Sequence, residues 1–291
     1  MKKLLFLLDT DPMPSVFDTV VAYDGGADQV TGYGGLTPEN VGVIVDGAIF
    51  TRAPKEKQYT ALFVGGSDLS KGQELLQAVK KKFFANFRVS VMLDSNGSNT
   101  TAASGVVQLV QAAGNNVRGK RAVVLAGTGP VGQRAAALLA QEGAHVTLTS
   151  RRMERAQHAC ELMKARFGVD LTPFEANDEA SFTQALAGVQ VLYATGAAGA
   201  QLLTERQWKD HPDLQFMADA NATPPLGIEG VDMMDKGAER HGKIAIGGIG
   251  VGGLKLKLHR VCVGRLFDRH DQILDAEEIY ALAKEIAQPE W

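Results

Sequence analysis

Ala122-Val123-Val124-Leu125-Ala126-Gly127-Thr128-Gly129-Pro130-Val131-Gly132, then a helix-like run, then His145-Val146-Thr147-Leu148-Thr149, is the most informative run of the chain. Strand, glycine turn, helix and strand make a βαβ unit, the context in which G-x-G-x-x-G seats a dinucleotide pyrophosphate on a helix N-terminus. The first glycine permits the tight turn, the second lets the main chain approach phosphate, and the third lets helix and strand pack. Gly127, Thr128, Gly129, Pro130, Val131 and Gly132 are therefore candidate cofactor-binding residues. A glycine turn that touches no phosphate is the plain alternative.

The end of the second strand selects the cofactor. An NAD enzyme usually carries Asp or Glu there to accept hydrogen bonds from the ribose 2′-hydroxyl. This chain has Ser150-Arg151-Arg152 instead. Two guanidiniums and a hydroxyl suit the 2′-phosphate of NADP, because arginine grips phosphate with paired, charge-assisted hydrogen bonds.

Gly248-Ile249-Gly250-Val251-Gly252-Gly253 repeats the glycine pattern after Ile244-Ala245-Ile246, but no strand returns after it. Leu254, Leu258, Val261, Cys262 and Leu266 recur at helical spacing, and Asp275 to Ala287 is helical again. The segment reads as a close-packed loop entering a helix, not as a second nucleotide fold.

At 291 residues the chain is long enough for two domains. A net charge of −3 gives no general attraction to nucleic acid or to anionic membrane, so Lys80-Lys81-Lys82 reads as a solvated helix face. Cys160 and Cys262 lie far apart, and the six histidines show no metal-type spacing, so neither a disulfide framework nor a metal is expected. Met1 to Leu8 imitates a signal peptide only briefly, since Asp9 and Asp11 interrupt the apolar run; it reads as a buried strand of a cytoplasmic protein without a membrane span.

From residue 1 to about 117 strand-like and helix-like pieces alternate: Lys3 to Leu8, Ser15 to Ala22 with Ser15 as cap, Tyr59 to Val64, Gly72 to Lys82 and Arg88 to Leu93. The expected class is α/β with two domains facing across a cleft: an α/β substrate domain (1–117) and a Rossmann-type NADP-binding domain (118–253). Residues 254–291 would form C-terminal helices packing back on the substrate domain. In the nucleotide domain Val189 to Ala194 and Leu214 to Ala218 end in loops, so Thr195, Gly196, Ala197 and Asn221 are candidates to flank the nicotinamide.

Two further clusters bear on the substrate. Asp94-Ser95-Asn96-Gly97-Ser98-Asn99-Thr100-Thr101 brings amides, hydroxyls and backbone N–H groups to one helix N-terminus, suited to a polar heterocycle or a carboxylate, although a well-capped helix explains the same residues. Leu254-Lys255-Leu256-Lys257-Leu258-His259-Arg260 places cations in what reads as a first helical turn, against the helix dipole, with Lys255 and Lys257 on nearly opposite sides.

With these residues identified, the chain resembles the NADP-dependent methylene-tetrahydromethanopterin dehydrogenases of methylotrophic bacteria over nearly its full length. The likeness rests on Phe17-Asp18 with Tyr23-Asp24-Gly25-Gly26-Ala27-Asp28, on Met92 to Ala103, on Val123 to Gly132, on Pro224-Pro225-Leu226-Gly227-Ile228, on Gly252 to Arg260 and on Asp275 to Tyr280. It implies reversible oxidation of the methylene to the methenyl form of a tetrahydropterin with NADP, in one-carbon metabolism during formaldehyde oxidation, with methylene-tetrahydrofolate as a second substrate of some members. It also implies a homo-oligomer built on trimers.

Carried onto this chain, the resemblance assigns Lys255 to orienting the pterin ring; Asp18 is the favoured acidic neighbour of the growing positive charge. Asp94, Ser95, Asn96, Ser98, Asn99, Thr100 and Lys257 are the expected substrate-binding residues. The Y-x-x-x-K arrangement of folate dehydrogenase-cyclohydrolases is missing after Tyr23, Tyr33 and Tyr59, so no cyclohydrolase activity is expected. Two other classes stay open on sequence alone: a shikimate-type NADP-dependent reductase, and a regulatory protein that binds NADP without turnover.

Overall fold

The computed structural model describes residues 1–287. Their contacts gather into two compact units, Met1–Thr100 with Leu256–Ile286, and a second that holds Thr101–Lys255. In chain order the first elements are β1 (Leu4–Asp9), α1 (Val16–Asp24), β2 (Gln29–Tyr33), α2 (Gly42–Phe50), β3 (Thr60–Gly65), α3 (Leu69–Lys82), β4 (Ser90–Leu93) and α4 (Ser98–Ala112). Then come β5 (Arg121–Leu125), α5 (Pro130–Gln141), β6 (His145–Ser150), α6 (Met153–Phe167), β7 (Thr172–Glu175), α7 (Glu179–Ala185), β8 (Val191–Ala194), α8 (Glu205–Trp208) and β9 (Phe216–Asp219). A hairpin of β10 (Lys236–Arg240) and β11 (Lys243–Ile246) precedes α9 (Gly248–Arg265), β12 (Ile273–Leu274) and α10 (Ala276–Ile286).

The first unit is an all-parallel sheet in the order β12-β4-β3-β1-β2. Its centre is β3, where Ala61, Leu62, Phe63 and Val64 are all buried, as a strand covered on both faces requires. Leu8, Val45, Ile49, Leu75, Val79 and Leu93 close over one face as a single apolar cluster. At the carboxyl edge the strands deliver acids: Asp9 ends β1, Asp94 follows β4 and Asp275 follows β12. Ser15 caps α1 by accepting the Asp18 N–H at 3.1 Å, as its residue type and position predict. Lys80, Lys81 and Lys82 occupy the last turn of α3, where cations favour the helix dipole, and Lys82 also pairs with Asp46 at 2.7 Å.

The second unit is a seven-stranded sheet, β10-β11-β9-β8-β5-β6-β7, parallel except for the β10–β11 hairpin. Setting β10 aside, the order is that of the doubly wound dinucleotide fold, with its topological switch point between β5 and β8. Val123, Leu125, Leu192, Met217 and Ala245 from successive strands share one core with Trp208 and Ile228. The loops that leave β5 and β8 at their carboxyl ends therefore open on the crevice where this fold holds its ligands.

One expectation is corrected. Gly248 to Gly253 is not a loop entering a helix but the first turns of α9 itself. Lys255 and Lys257 consequently lie two turns in and carry no penalty from the N-terminal dipole. The glycines are there because the helix start is packed against main chain: a Cβ on Gly248 would stand 2.6 Å from the Asn221 carbonyl, and one on Gly250 would stand 2.0 Å from the Asp235 oxygen. Close backbone approach thus outweighs the poor helix propensity of glycine, about 1 kcal/mol per residue.

Candidate functional site

The bend between β5 and α5 meets the requirements of a pyrophosphate site one glycine at a time. A Cβ on Gly127 would press on the Leu148 side chain at 2.8 Å, and one on Gly132 would fall 2.5 Å from the Gly127 Cα, so both glycines close the turn. Gly129, the N-cap of α5, faces open space, with nothing within 4 Å of the position a Cβ would take. Pro130 supplies a preset φ in the first helical turn, where an N–H would lack a partner anyway. Thr149 holds the entry, its carbonyl accepting the Gly127 N–H at 2.8 Å and its hydroxyl the Ala126 N–H at 3.0 Å. These residues fit a dinucleotide: the turn is tight, its middle glycine is uncovered, and a helix N-terminus lies behind it.

From β8, Thr195 turns back to the bend, its hydroxyl donating to the Leu125 carbonyl at 2.9 Å and lying 2.6 Å from where a Gly132 Cβ would stand. Gly196 is half-buried and Ala197 is exposed. After β9, Asn221 is buried, its amide donating to the Pro225 carbonyl at 3.1 Å and its oxygen accepting the Thr223 N–H at 2.8 Å. The organiser of that loop is its first residue, whose buried role the sequence does not show. Asp219 is buried and its two carboxylate oxygens take the N–H groups of Asn221, at 2.9 Å, and Ile228, at 3.0 Å; burial pushes its carboxyl above the usual range. An acid closing an apolar strand ahead of Ala220-Asn221 marks the loop in the sequence, but not that the carboxylate turns inward onto its main chain.

At the end of β6, Ser150 is buried while Arg151 and Arg152 project from the surface. Beside them stands Glu175, at the end of β7 and paired in register with Ser150. Its Oε2 accepts the Met153 N–H at 2.7 Å.

In the first unit the structure draws Asp94, Ser95, Ser98, Asn99 and Thr100 into one buried network. Asp94 Oδ1 accepts the N–H groups of Asn99 and Thr100 at 2.9 and 3.0 Å, and Oδ2 takes the Thr100 hydroxyl at 2.6 Å. Ser95 donates to the Gly65 carbonyl, Ser98 to the Ser95 carbonyl, and the Asn99 amide to Leu93 and to the Asp275 carboxylate. Asn96 is the exposed member, held in left-handed backbone at φ 56°. Next to this network Asp9 is buried and accepts the N–H groups of Asp11 and Ser15, and desolvation raises its carboxyl. Asp11 in turn receives the Ser67 N–H and hydroxyl.

Asp18 sits half-buried in the first turn of α1. Lys255 is half-buried on α9, whereas Lys257 is exposed and reaches the Ile286 carbonyl at the end of α10, 3.4 Å away. His259, fully buried one turn on, stacks on Phe63 at 5.4 Å between ring centroids. Both thiols are buried, which pushes Cys160 up to about 11 and Cys262 higher still. Neither is a nucleophile at neutral pH.

A family model described as methylene-tetrahydromethanopterin dehydrogenase, N-terminal, matches residues 16–96. The chain is 57% identical over 286 residues to the bifunctional protein MdtA of Methylorubrum extorquens, covering 98% of this chain and 99% of that protein. To the NAD(P)-dependent methylenetetrahydromethanopterin dehydrogenase of the same organism it is 30% identical over 294 residues, covering 98% and 99%. Among solved structures, shikimate 5-dehydrogenase from Listeria monocytogenes, in complex with shikimate and NAD, aligns with a TM-score of 0.53 at 14% identity over 98% of this chain and 96% of that one. At that identity the likeness is one of fold.

Proposed function

The chain belongs to the methylene-tetrahydromethanopterin dehydrogenase family, and from that premise we propose that it moves a hydride from methylene-tetrahydromethanopterin to NADP, leaving the methenyl form. It is a nicotinamide-dependent oxidoreductase of one-carbon metabolism. The observation that carries the choice of cofactor is the pairing of an uncovered Gly129 with Ser150-Arg151-Arg152 at the end of β6.

The cofactor supplies the hydride acceptor. What the chain itself supplies follows from the chemistry of the donor. The carbon that loses hydride bridges two nitrogens, and both share the resulting positive charge, so no hydroxyl or amine proton has to leave. A general base is unnecessary, which agrees with protonated, buried thiols and with a His259 committed to an aromatic stack. Positioning and electrostatic complementarity then account for the rate. Asp18 is assigned to the developing cation and Lys255 to orienting the pterin ring. Asn96 and the network behind it shape the polar wall for the substrate, with Asp94 ordering the main chain. Arg151 and Arg152 hold the 2′-phosphate, and the Asn221 loop, pinned by Asp219, frames the nicotinamide.

A homo-oligomer built on trimers is the assembly to expect, measurable by light scattering. A cytoplasmic location is proposed with it, in keeping with the use of NADP by a one-carbon enzyme.

Stopped-flow absorbance of NADPH after mixing protein, NADP and methylene-tetrahydromethanopterin tests the reaction. Lys255→Ala and Asp18→Ala should each lower kcat/KM by at least about tenfold, ~1.4 kcal/mol of transition-state stabilisation. Values within a few-fold of wild type in both would remove the two assignments.

A further inference from the structure

β6 ends in Ser150, so the strand that ordinarily carries the ribose-binding acid carries none. A carboxylate is nevertheless fixed at the same edge. Glu175 ends the neighbouring strand, stands opposite Ser150 in the parallel register, and is held close because the Ala176 N–H donates to the Ser150 carbonyl at 2.8 Å. The carboxylate is oriented from two sides: Oε2 accepts the Met153 N–H at 2.7 Å and Oε1 accepts the Asn177 amide at 3.0 Å. Arg152, the N-cap of α6, makes no side-chain capping bond, and Glu175 does that work from the adjacent strand. One fixed negative charge therefore stands at the start of α6, on the helix end that directly follows the exposed Arg151 and Arg152.

We infer that Glu175 is the specificity-determining residue that sets the balance between NADP and NAD, a carboxylate on β7 opposing the arginine pair that follows β6. The inference rests on the reading of Ser150-Arg151-Arg152 as the 2′-phosphate site. The two ligands differ at one position. A 2′-hydroxyl can donate to the carboxylate, whereas a 2′-phosphate carries close to two negative charges and meets repulsion there. Glu175 also takes the Met153 N–H that an entering phosphate would otherwise find open. The arginines favour NADP, and Glu175 limits that preference and keeps NAD usable.

Calorimetric titration of the protein with NADP, NAD, 2′,5′-ADP and ADP tests this without turnover. Glu175→Gln keeps an oxygen for the Met153 N–H and removes the charge. It should tighten NADP and 2′,5′-ADP about tenfold relative to NAD and ADP, ~1.4 kcal/mol. Glu175→Ala should shift the same ratios and also lower Tm, since it abandons the helix end. If Glu175→Gln leaves both ratios within twofold while R151A/R152A weakens 2′,5′-ADP, the inference is overturned and the arginine reading stands. If R151A/R152A leaves the 2′,5′-ADP to ADP ratio unchanged, the arginine reading fails and takes the inference with it.

Discussion

Gly127–Gly132 and Gly248–Gly253 share one spacing of glycines and put it to opposite uses. In the first, the middle glycine looks onto empty space; in the second, a Cβ on the middle glycine would meet the Asp235 carbonyl oxygen at 2.0 Å. Both arrays open a helix, α5 and α9, and both follow a parallel strand or its neighbour in the same sheet. The same letters therefore specify a ligand cradle in one place and a main-chain packing contact in the other. What distinguishes them is whether protein already fills the volume a side chain would occupy.

The comparison is broken most severely by filling what is already full. Gly250→Ala should cost about 3 kcal/mol, because the atom it meets belongs to backbone and cannot rotate away. Urea denaturation would register this as a lowered midpoint at constant m-value; an unchanged midpoint would mean that α9 is not packed as described.

A second test probes the cradle at its far end. R151A/R152A should weaken NADP about thirtyfold, ~2 kcal/mol, and leave NAD within twofold, as read by the KM values of each cofactor. Equal losses for both would show that the pair acts on something the two cofactors share.

The smallest effect is expected in the Asp94 network, which belongs with the filled class. Asp94→Asn replaces one acceptor among the N–H groups of Asn99 and Thr100 and the Thr100 hydroxyl, and should cost about 1.5 kcal/mol in thermal unfolding. Full stability would indicate that these buried hydrogen bonds contribute less than their geometry implies.

The sequence reveals these features unevenly. The unit from Ala122 to Ser150 is legible because an apolar strand, three glycines and a second strand all point to one structure, and each lies within a residue or two of the expected position. β7 escapes notice because it is short, lies at the sheet edge and contains Pro173, which only an edge strand tolerates. With it goes Glu175, twenty-five positions from Ser150 in sequence but its register partner in the sheet. The start of α9 misleads because glycine marks loops on average, whereas here it answers a demand for backbone contact that only tertiary structure reveals. The polar run from Asp94 to Thr100 is legible as a helix N-terminus. That most of its side chains turn inward to Leu93, Gly65 and Asp275, leaving Asn96 outside, depends on the neighbouring strand ends.

Whether the Gly127–Gly132 bend seats the cofactor pyrophosphate is decided by Gly129→Val. The residue has φ −75° and ψ 170°, which valine adopts without strain, and its Cβ would stand in open space. Thermal unfolding should show the variant still folded, and calorimetry should show a loss of NADP binding of at least about a hundredfold, ~2.7 kcal/mol. A folded Gly129→Val variant that binds NADP as tightly as wild type would contradict that role of the bend.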